Sequence, residues 1–420
     1  MRRINISVGI LFLSILVFAS LATPLLAASA CSGFKGGSQS QNGQVIQNAQ
    51  GLNQALNHAS GGETLLLAGG NYDALIVKRA FKTPVTIRSA DPSSPACFTG
   101  LRLKNAGNLI LDGLMFDYSF QRGDKHRINH FGIANGHNIT ITNSVFDGDY
   151  NTGIGHGLGL QITGSSKITI SNSLFRKWWK ALTAFKTTHL TLSRNQFYDI
   201  RADGMALSGI DNLTIELNRF HTFRGGNSRD HRDMIQLMRT TNRGSSNIVI
   251  RDNVFDIGAG DYTQTIFMGK SGKNTSDPLL RHKNVLIENN VIYNAHMHGI
   301  SVHGADNLSI RKNSIIRVRQ PKGGKVSIPR INISYSTSVV IEQNVVSGIN
   351  GYQNQKDWAV LNNVIVQDQS PSSPGYYDRE FIYYATGAAN GFHEYGVRPG
   401  SEVDRLKAGS TLVNNYPTRQ

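Results

Sequence analysis

Cysteine is nearly absent: Cys31 and Cys97 are the only two in 420 residues. Two thiols that far apart, with no Cys-x-x-Cys spacing, do not make a metal site. In an oxidising compartment they are expected to close as a disulfide. Long apolar runs are just as scarce. Past the opening segment nothing approaches the ~20 apolar residues that a membrane-spanning helix needs. Acidic side chains are outnumbered, 28 Asp and Glu against 43 Lys and Arg, for a net charge of +15. That excess favours acidic polysaccharide, anionic lipid or nucleic acid as a partner over a neutral sugar. No nucleic-acid module accompanies it, so nucleic acid is set aside.

The one apolar run is at the start. Arg2 and Arg3 precede apolar residues from Ile10 to Ala27, and Ala28-Ser29-Ala30 has the small-x-small pattern of a signal-peptidase site. Residues 1–30 are therefore expected to be a cleaved signal, leaving a secreted or periplasmic chain that begins near Cys31. A retained anchor helix and a lipid-modified Cys31 are the alternatives.

Self-similarity dominates the rest. "NITITNSVF" from Asn138, "KITISNSLF" from Lys167, "HLTLSRNQF" from His189, "NLTIELNRF" from Asn212 and "NIVIRDNVF" from Asn247 are copies of one unit. The series continues with "NVLIENNVI", "NLSIRKNSI", "SVVIEQNVV" and "DWAVLNNVI", and "NLILDGLMF" from Asn108 is a looser early copy. Each alternates apolar and polar residues, as a half-buried strand does. The seventh position is Ser144, Ser173, Asn195, Asn218, Asn253, Asn290, Asn313, Asn344 and Asn363. It recurs at intervals from 19 to 37 residues, the contour of one solenoid coil. A buried asparagine at one corner of every coil is satisfied by its neighbours above and below. A second strand precedes each unit, as in "LGLQITG", "GMALSGI", "MIQLMRT" and "GISVHGA".

These units resemble the right-handed parallel β-helix of pectate-lyase-like proteins. The resemblance implies an all-β solenoid over 65–365, with 31–64 as an N-terminal cap built on the amphipathic "QGLNQALNHAS". Residues 366–420 are then a C-terminal cap or tail, and the chain is expected to be a monomer. The fold hosts lyases, hydrolases, epimerases and adhesins, so function must come from the site.

Aligning the preceding strands gives chemical columns. The residues just before them read Leu158, Lys180, Asp203, Asp233, Gln264 and His298. The next outward positions read Gln161, Thr183, Ala206, Gln236, Phe267 and Ser301. With coils ~4.8 Å apart, the first column makes a polar ladder about 20 Å long, which suits a linear polymer. The coils around 221–283 are also the most swollen, and their loops carry Arg224, Arg229, Arg239, Arg243, Lys270 and Lys273.

Among those loops stands Asp230-His231-Arg232-Asp233. It offers a histidine that exchanges protons near neutrality, carboxylates to tune it and an arginine for an anion. Taking the C5 proton of a uronate requires neutralising the adjacent carboxylate. Arg232 or Arg239 would do so with Lys180 or Lys186 assisting, His231 would take the proton, and Tyr262 could return one. Lys270, Asp203, Gln236, Gln264 and His298 would line the groove, and Trp178 and Trp179 would be either a sugar platform or a packed corner. The motif loosely resembles the Asp-Pro-His-Asp signature of mannuronan C5-epimerases, without its proline and with different spacing. The implied activity is β-elimination or C5-epimerisation on an acidic polysaccharide. No metal ligands stand out: the clustered aspartates of pectate lyases are missing, though Ca²⁺ stays open. Two rivals remain. Gly155-His156-Gly157 looks like a segment of polygalacturonase-type hydrolases, but the aspartates follow it rather than precede it. A non-catalytic adhesin is the other.

Overall fold

In the computed structural model the described residues are Cys31, 45–240, 242–269, 277–318, 327–384 and 392–413. Residues 1–30, with the expected signal, and Lys270 and Lys273 lie outside them. Three parallel sheets of 12, 12 and 11 strands run the length of the molecule, and successive coils add a strand to each. The repeat units supply the first sheet, the short segment after each asparagine corner supplies the second, and the preceding strands supply the third.

Period-two alternation dictates the packing. Ile139, Ile168, Leu190, Leu213, Ile248, Val285, Leu308 and Val339 face one another in register along the first sheet, and all are buried. The last residue of each unit turns inward from the second sheet. Phe146, Phe175, Phe197, Phe220 and Phe255 stack at centroid distances of 4.6, 5.0, 4.8 and 4.9 Å. Such pairs add about 1 kcal/mol each beyond the area they bury.

The corner between these sheets is where the repeat is strictest. Asn195, Asn218, Asn253, Asn290, Asn313 and Asn344 each accept the backbone N–H of the ladder residue one coil earlier, at 2.9–3.0 Å. Each side chain also donates to a main-chain carbonyl, as Asn253 does to Ile215 at 2.9 Å. The preceding residue takes the left-handed conformation that turns the chain, and Asn143, Asn172, Asn289 and Asn362 do so without strain. Leu217 fills the same position at φ 59°, where a branched side chain is costly.

Helix Ala49–His58 lies at the N-terminal end, capped by Asn48, with Leu52 and Leu56 buried in the same core as the coils. Cys31 is joined to Cys97. The last described segment runs back along the flank of the second sheet. Tyr377, Phe381 and Val403 pack with Val254, Val291, Tyr293 and Ile316, and the His393 imidazole meets the buried Asp256 carboxylate at 2.7 Å.

Two substitutions test the corner. Asn253→Ala removes the acceptor of the Asn218 N–H and a donor to the Ile215 carbonyl, and chemical unfolding should show a loss of about 3 kcal/mol. Leu217→Asn should gain about 1 kcal/mol by relieving the left-handed leucine. A neutral result for the first would mean that the ladder is not what holds the coils.

Candidate functional site

The third sheet carries the site, and its register sets which side chains meet. Gln161, Thr183, Ala206, Gln236, Phe267 and Ser301 are direct partners across successive coils. At the strand entrance Asp233 faces Gln264. The Lys180 ammonium lies 2.5 Å from the Asp203 carboxylate, and the other Asp203 oxygen accepts the Asp233 N–H at 3.1 Å. Lys180, Asp203, Asp233 and Gln264 thus touch as one column. His298 stands a coil further on, its Nδ1 bonded to Ser301 Oγ at 2.6 Å and its ring edge-on to Phe267.

His231 sits over this column from the swollen loop. Its Nδ1 is 2.8 Å from Asp233 Oδ2, which also accepts from the Gln236 amide at 2.7 Å. The His231 side chain is 54% exposed, whereas that of Asp233 is 0%. Asp203 is equally sealed. The imidazole is the most exposed member of the group, Lys180, Gln236 and His298 are partly exposed, and the two carboxylates are sealed beneath them. The hydrogen bond to Asp233 raises the His231 pKa above its ordinary value, against the opposing effect of burial. Burial and the neighbouring Asp233 push the Asp203 carboxyl up, while Lys180 pulls it back.

Gln264 completes the imidazole's surroundings, with its amide nitrogen 2.6 Å from His231 Nε2. Its Oε1, like Asp233 Oδ1, is buried without a hydrogen-bond partner among the described residues. A half-turn of the amide would present Oε1 to a protonated Nε2, so one side chain serves neutral imidazole and imidazolium alike. As a metal site the cluster is poor. Ligand atoms of Asp203, His231 and Asp233 lie within 4.8 Å of one another, but Lys180 already neutralises Asp203. Ca²⁺ takes six to eight oxygens, and this set does not fit it.

The other expected residues are dispersed. Asp230 pairs with Arg201 at 2.7 Å and accepts the Trp179 indole N–H at 3.2 Å. Arg232 turns into its own loop, donating to the carbonyls of Ser228, Gly226 and Tyr262. That fold-back needs Gly225, where a Cβ would overlap the guanidinium. Arg239 lies beyond the strand's far end, where its charge is felt by buried His282. Lys186 is exposed just past the end of its strand opposite Lys180, over the Phe185 ring. Trp178 is core, its indole bonded to the Phe146 carbonyl. Trp179 is 8% exposed, with Lys180 and Arg127 against its ring at 5.0 and 5.5 Å, so neither tryptophan is an open platform. The Tyr262 ring packs on His296 at 4.0 Å.

One feature escaped the sequence reading. Lys125, His126, Arg127, His156 and Arg201, with Asp124 and Asn151, line a cavity of about 550 Å³. Its loop, "QRGDKHRINH" at 121–130, leads into the third-sheet strand that begins at Phe131. The only signal was a run of charge between two repeat units. Among the described residues, Lys125 and Arg127 form no ion pair. Asp124 is held by the Tyr118 hydroxyl at 2.8 Å. His156, of the Gly-His-Gly segment, is buried with its Nδ1 3.1 Å from the same hydroxyl.

A family model described as a right handed beta helix region matches residues 99–278. The chain is a right-handed parallel β-helix. Among solved structures it is similar to the A-module of an Azotobacter vinelandii mannuronan C-5 epimerase, with 13% identity and a TM-score of 0.51 over 76% of this chain and 89% of that one. It is also similar to the PL6 family alginate lyase AlyGC, with 15% identity and a TM-score of 0.50 over 88% of this chain. It spans only 57% of that lyase's length. PfbA, a surface adhesin of Streptococcus pneumoniae, aligns at 16% identity and a TM-score of 0.46, covering 88% of this chain and all of that one. These likenesses are of fold. No curated protein matches by sequence.

The Asp233 contact has a measurable sign. His231 should titrate above ~6.5 by NMR, and Asp233→Asn should lower its midpoint. Because the folded value is the higher one, the stability drawn from the pair is complete below that pH and lost as pH rises through the folded midpoint. An unmoved midpoint would contradict the pairing.

Proposed function

We propose that this β-helix acts on an acidic, uronate-containing polysaccharide by removing the proton beside a carboxylate, as a lyase or a C5-epimerase. The observation that carries the reading is the half-exposed imidazole of His231 seated on the sealed Asp233, with the Lys180 ammonium on the next coils. Neutral His231 takes the C5 proton, and Asp233 stabilises the imidazolium that results. Lys180 lies against the substrate carboxylate, onto which negative charge spreads as the proton leaves. In elimination the C–H electron pair forms the C4–C5 double bond while O4 departs with its own bonding pair and gains a proton. In epimerisation a proton returns to the opposite face.

Charge neutralisation falls to Lys180, whose ammonium keeps further N–H donors beside its Asp203 pair, because Arg232 is folded into its loop and Lys186 is remote. Further along the polymer, Lys125 and Arg127 supply unpaired positive charge on the approach to the groove. Two fold neighbours are named for reactions on uronate polymers, and that agreement supports the reading at the level of fold alone. A polymeric substrate also agrees with an exported chain tied by a disulfide.

Hydrolysis by paired carboxylates is the weaker reading. Asp203 and Asp233 lie on successive coils, but both are buried to 1% or less and cannot reach a glycosidic oxygen. A non-catalytic binder would retain polymer affinity with no turnover.

His231→Ala should abolish the ultraviolet absorbance of unsaturated product, or solvent-proton exchange at C5, on a panel of alginate, pectate and glycosaminoglycans, with circular dichroism unchanged. An unaltered rate removes His231 from the mechanism. If His231 is the base, kcat/KM should rise with pH through its midpoint. Lys125→Gln combined with Arg127→Gln should weaken polyuronate binding roughly tenfold and flatten its salt dependence. Undiminished binding would remove that loop from the groove.

A further inference from the structure

Asp117 ends the second-sheet strand Met115–Asp117, away from the groove. Among the described residues its carboxylate has one hydrogen-bond donor, the backbone nitrogen of Cys31 at 2.6 Å, and no side-chain ion pair. The charged groups around it are Asp147, Asp149 and Lys177. The Lys177 ammonium is committed to Asp147 at 3.2 Å. Burial pushes the Asp117 carboxyl up, with Asp147 and Asp149 adding to it, while the Cys31 N–H and Lys177 pull it down. This half-buried carboxylate is short of one positive charge.

Cys31 is positioned to supply it. The residue is 3% exposed and packs in a small cluster with Cys97 and Met115. It is tied to Cys97 and directly follows Ala28-Ser29-Ala30. We infer that the chain is cut between Ala30 and Cys31 and that the α-ammonium released on Cys31 forms a salt bridge with Asp117. Hydrolysis of that amide by an export-linked peptidase consumes one water and leaves a carboxylate on Ala30 and an ammonium on Cys31. The uncut chain offers Asp117 a single neutral N–H. The cut chain offers three donors and a full charge at the same place, which makes a charge-assisted contact roughly twice as strong.

The consequence is a protein that is pinned at its first residue only after export. The disulfide holds the thiol and Asp117 holds the amine, so Cys31 has no free sulfur for lipid attachment. The ion pair keeps the amine protonated above its ordinary ~7.7–8.0. Since the folded value is raised, the stabilisation is present below that range and disappears as pH rises through the folded midpoint.

The test uses the full-length gene product exported from a bacterial host. N-terminal sequencing after reduction should read Cys31 first, and any other first residue overturns the inference. The α-amine of the intact protein, followed by its pH-dependent acylation, should titrate above the ordinary range. An ordinary midpoint overturns the salt bridge even where the cut is confirmed. Asp117→Asn should lower Tm by roughly 2–4 °C in the exported protein. The same substitution should lower it by less than half as much in protein made without the leader and carrying a Met-Ala extension before Cys31. Equal losses in the two forms would mean that Asp117 needs only the N–H. If the Asp117→Asn variant does not fold, the amine titration of the unsubstituted protein decides.

Discussion

Everything in this molecule rests on coils lying in register. The Asn195-to-Asn363 ladder enforces it, because each side chain closes hydrogen bonds that only the coil before and the coil after can offer. Slipping one strand by a residue would turn its apolar side chains outward and break a buried polar chain at the same time. The phenylalanine stack and the aliphatic rows add area, but they tolerate small shifts. The asparagine corner does not.

That rigidity allows buried carboxylates to serve an open face. Asp203 and Asp233 belong to coils whose third-sheet strands are neighbours, and the stack holds their charges together beneath Lys180 and His231. Two sealed carboxylates lie beneath two more exposed basic groups, Lys180 and His231, which on the proposed reading attract an anion and exchange a proton. Removed from the stack, each carboxylate would carry a desolvation cost without its partner. The ladder and the site are thus two uses of one constraint.

How much of this was legible in the sequence follows from the same constraint. A coil that repeats the same environment must repeat the same residue types, so Asn253 and Phe255 announce themselves through their copies. The third-sheet column from Gln161 to Ser301 could be aligned for the same reason, and its register in the structure is the aligned one. Irregular segments have no such periodicity to align. Arg232 sits beside His231 in sequence, yet it points into its loop because Gly225 leaves room for the guanidinium. Trp178 and Trp179 are adjacent and differ completely, one bonded to a core carbonyl and the other to Asp230. The basic loop at 121–130 brings Arg127 against Trp179, beside Lys180, from an earlier coil, through a connection that no repeat describes. Asp117 could not have been matched to Cys31 without coordinates.

The account is tested most directly by incubating polyuronates with the protein in D₂O and following C5 by NMR. Solvent deuterium at C5, or unsaturated ends in its place, should accumulate with the wild-type chain and not with His231→Ala. Chain cleavage with neither signal, or labelling that the variant matches, would contradict it.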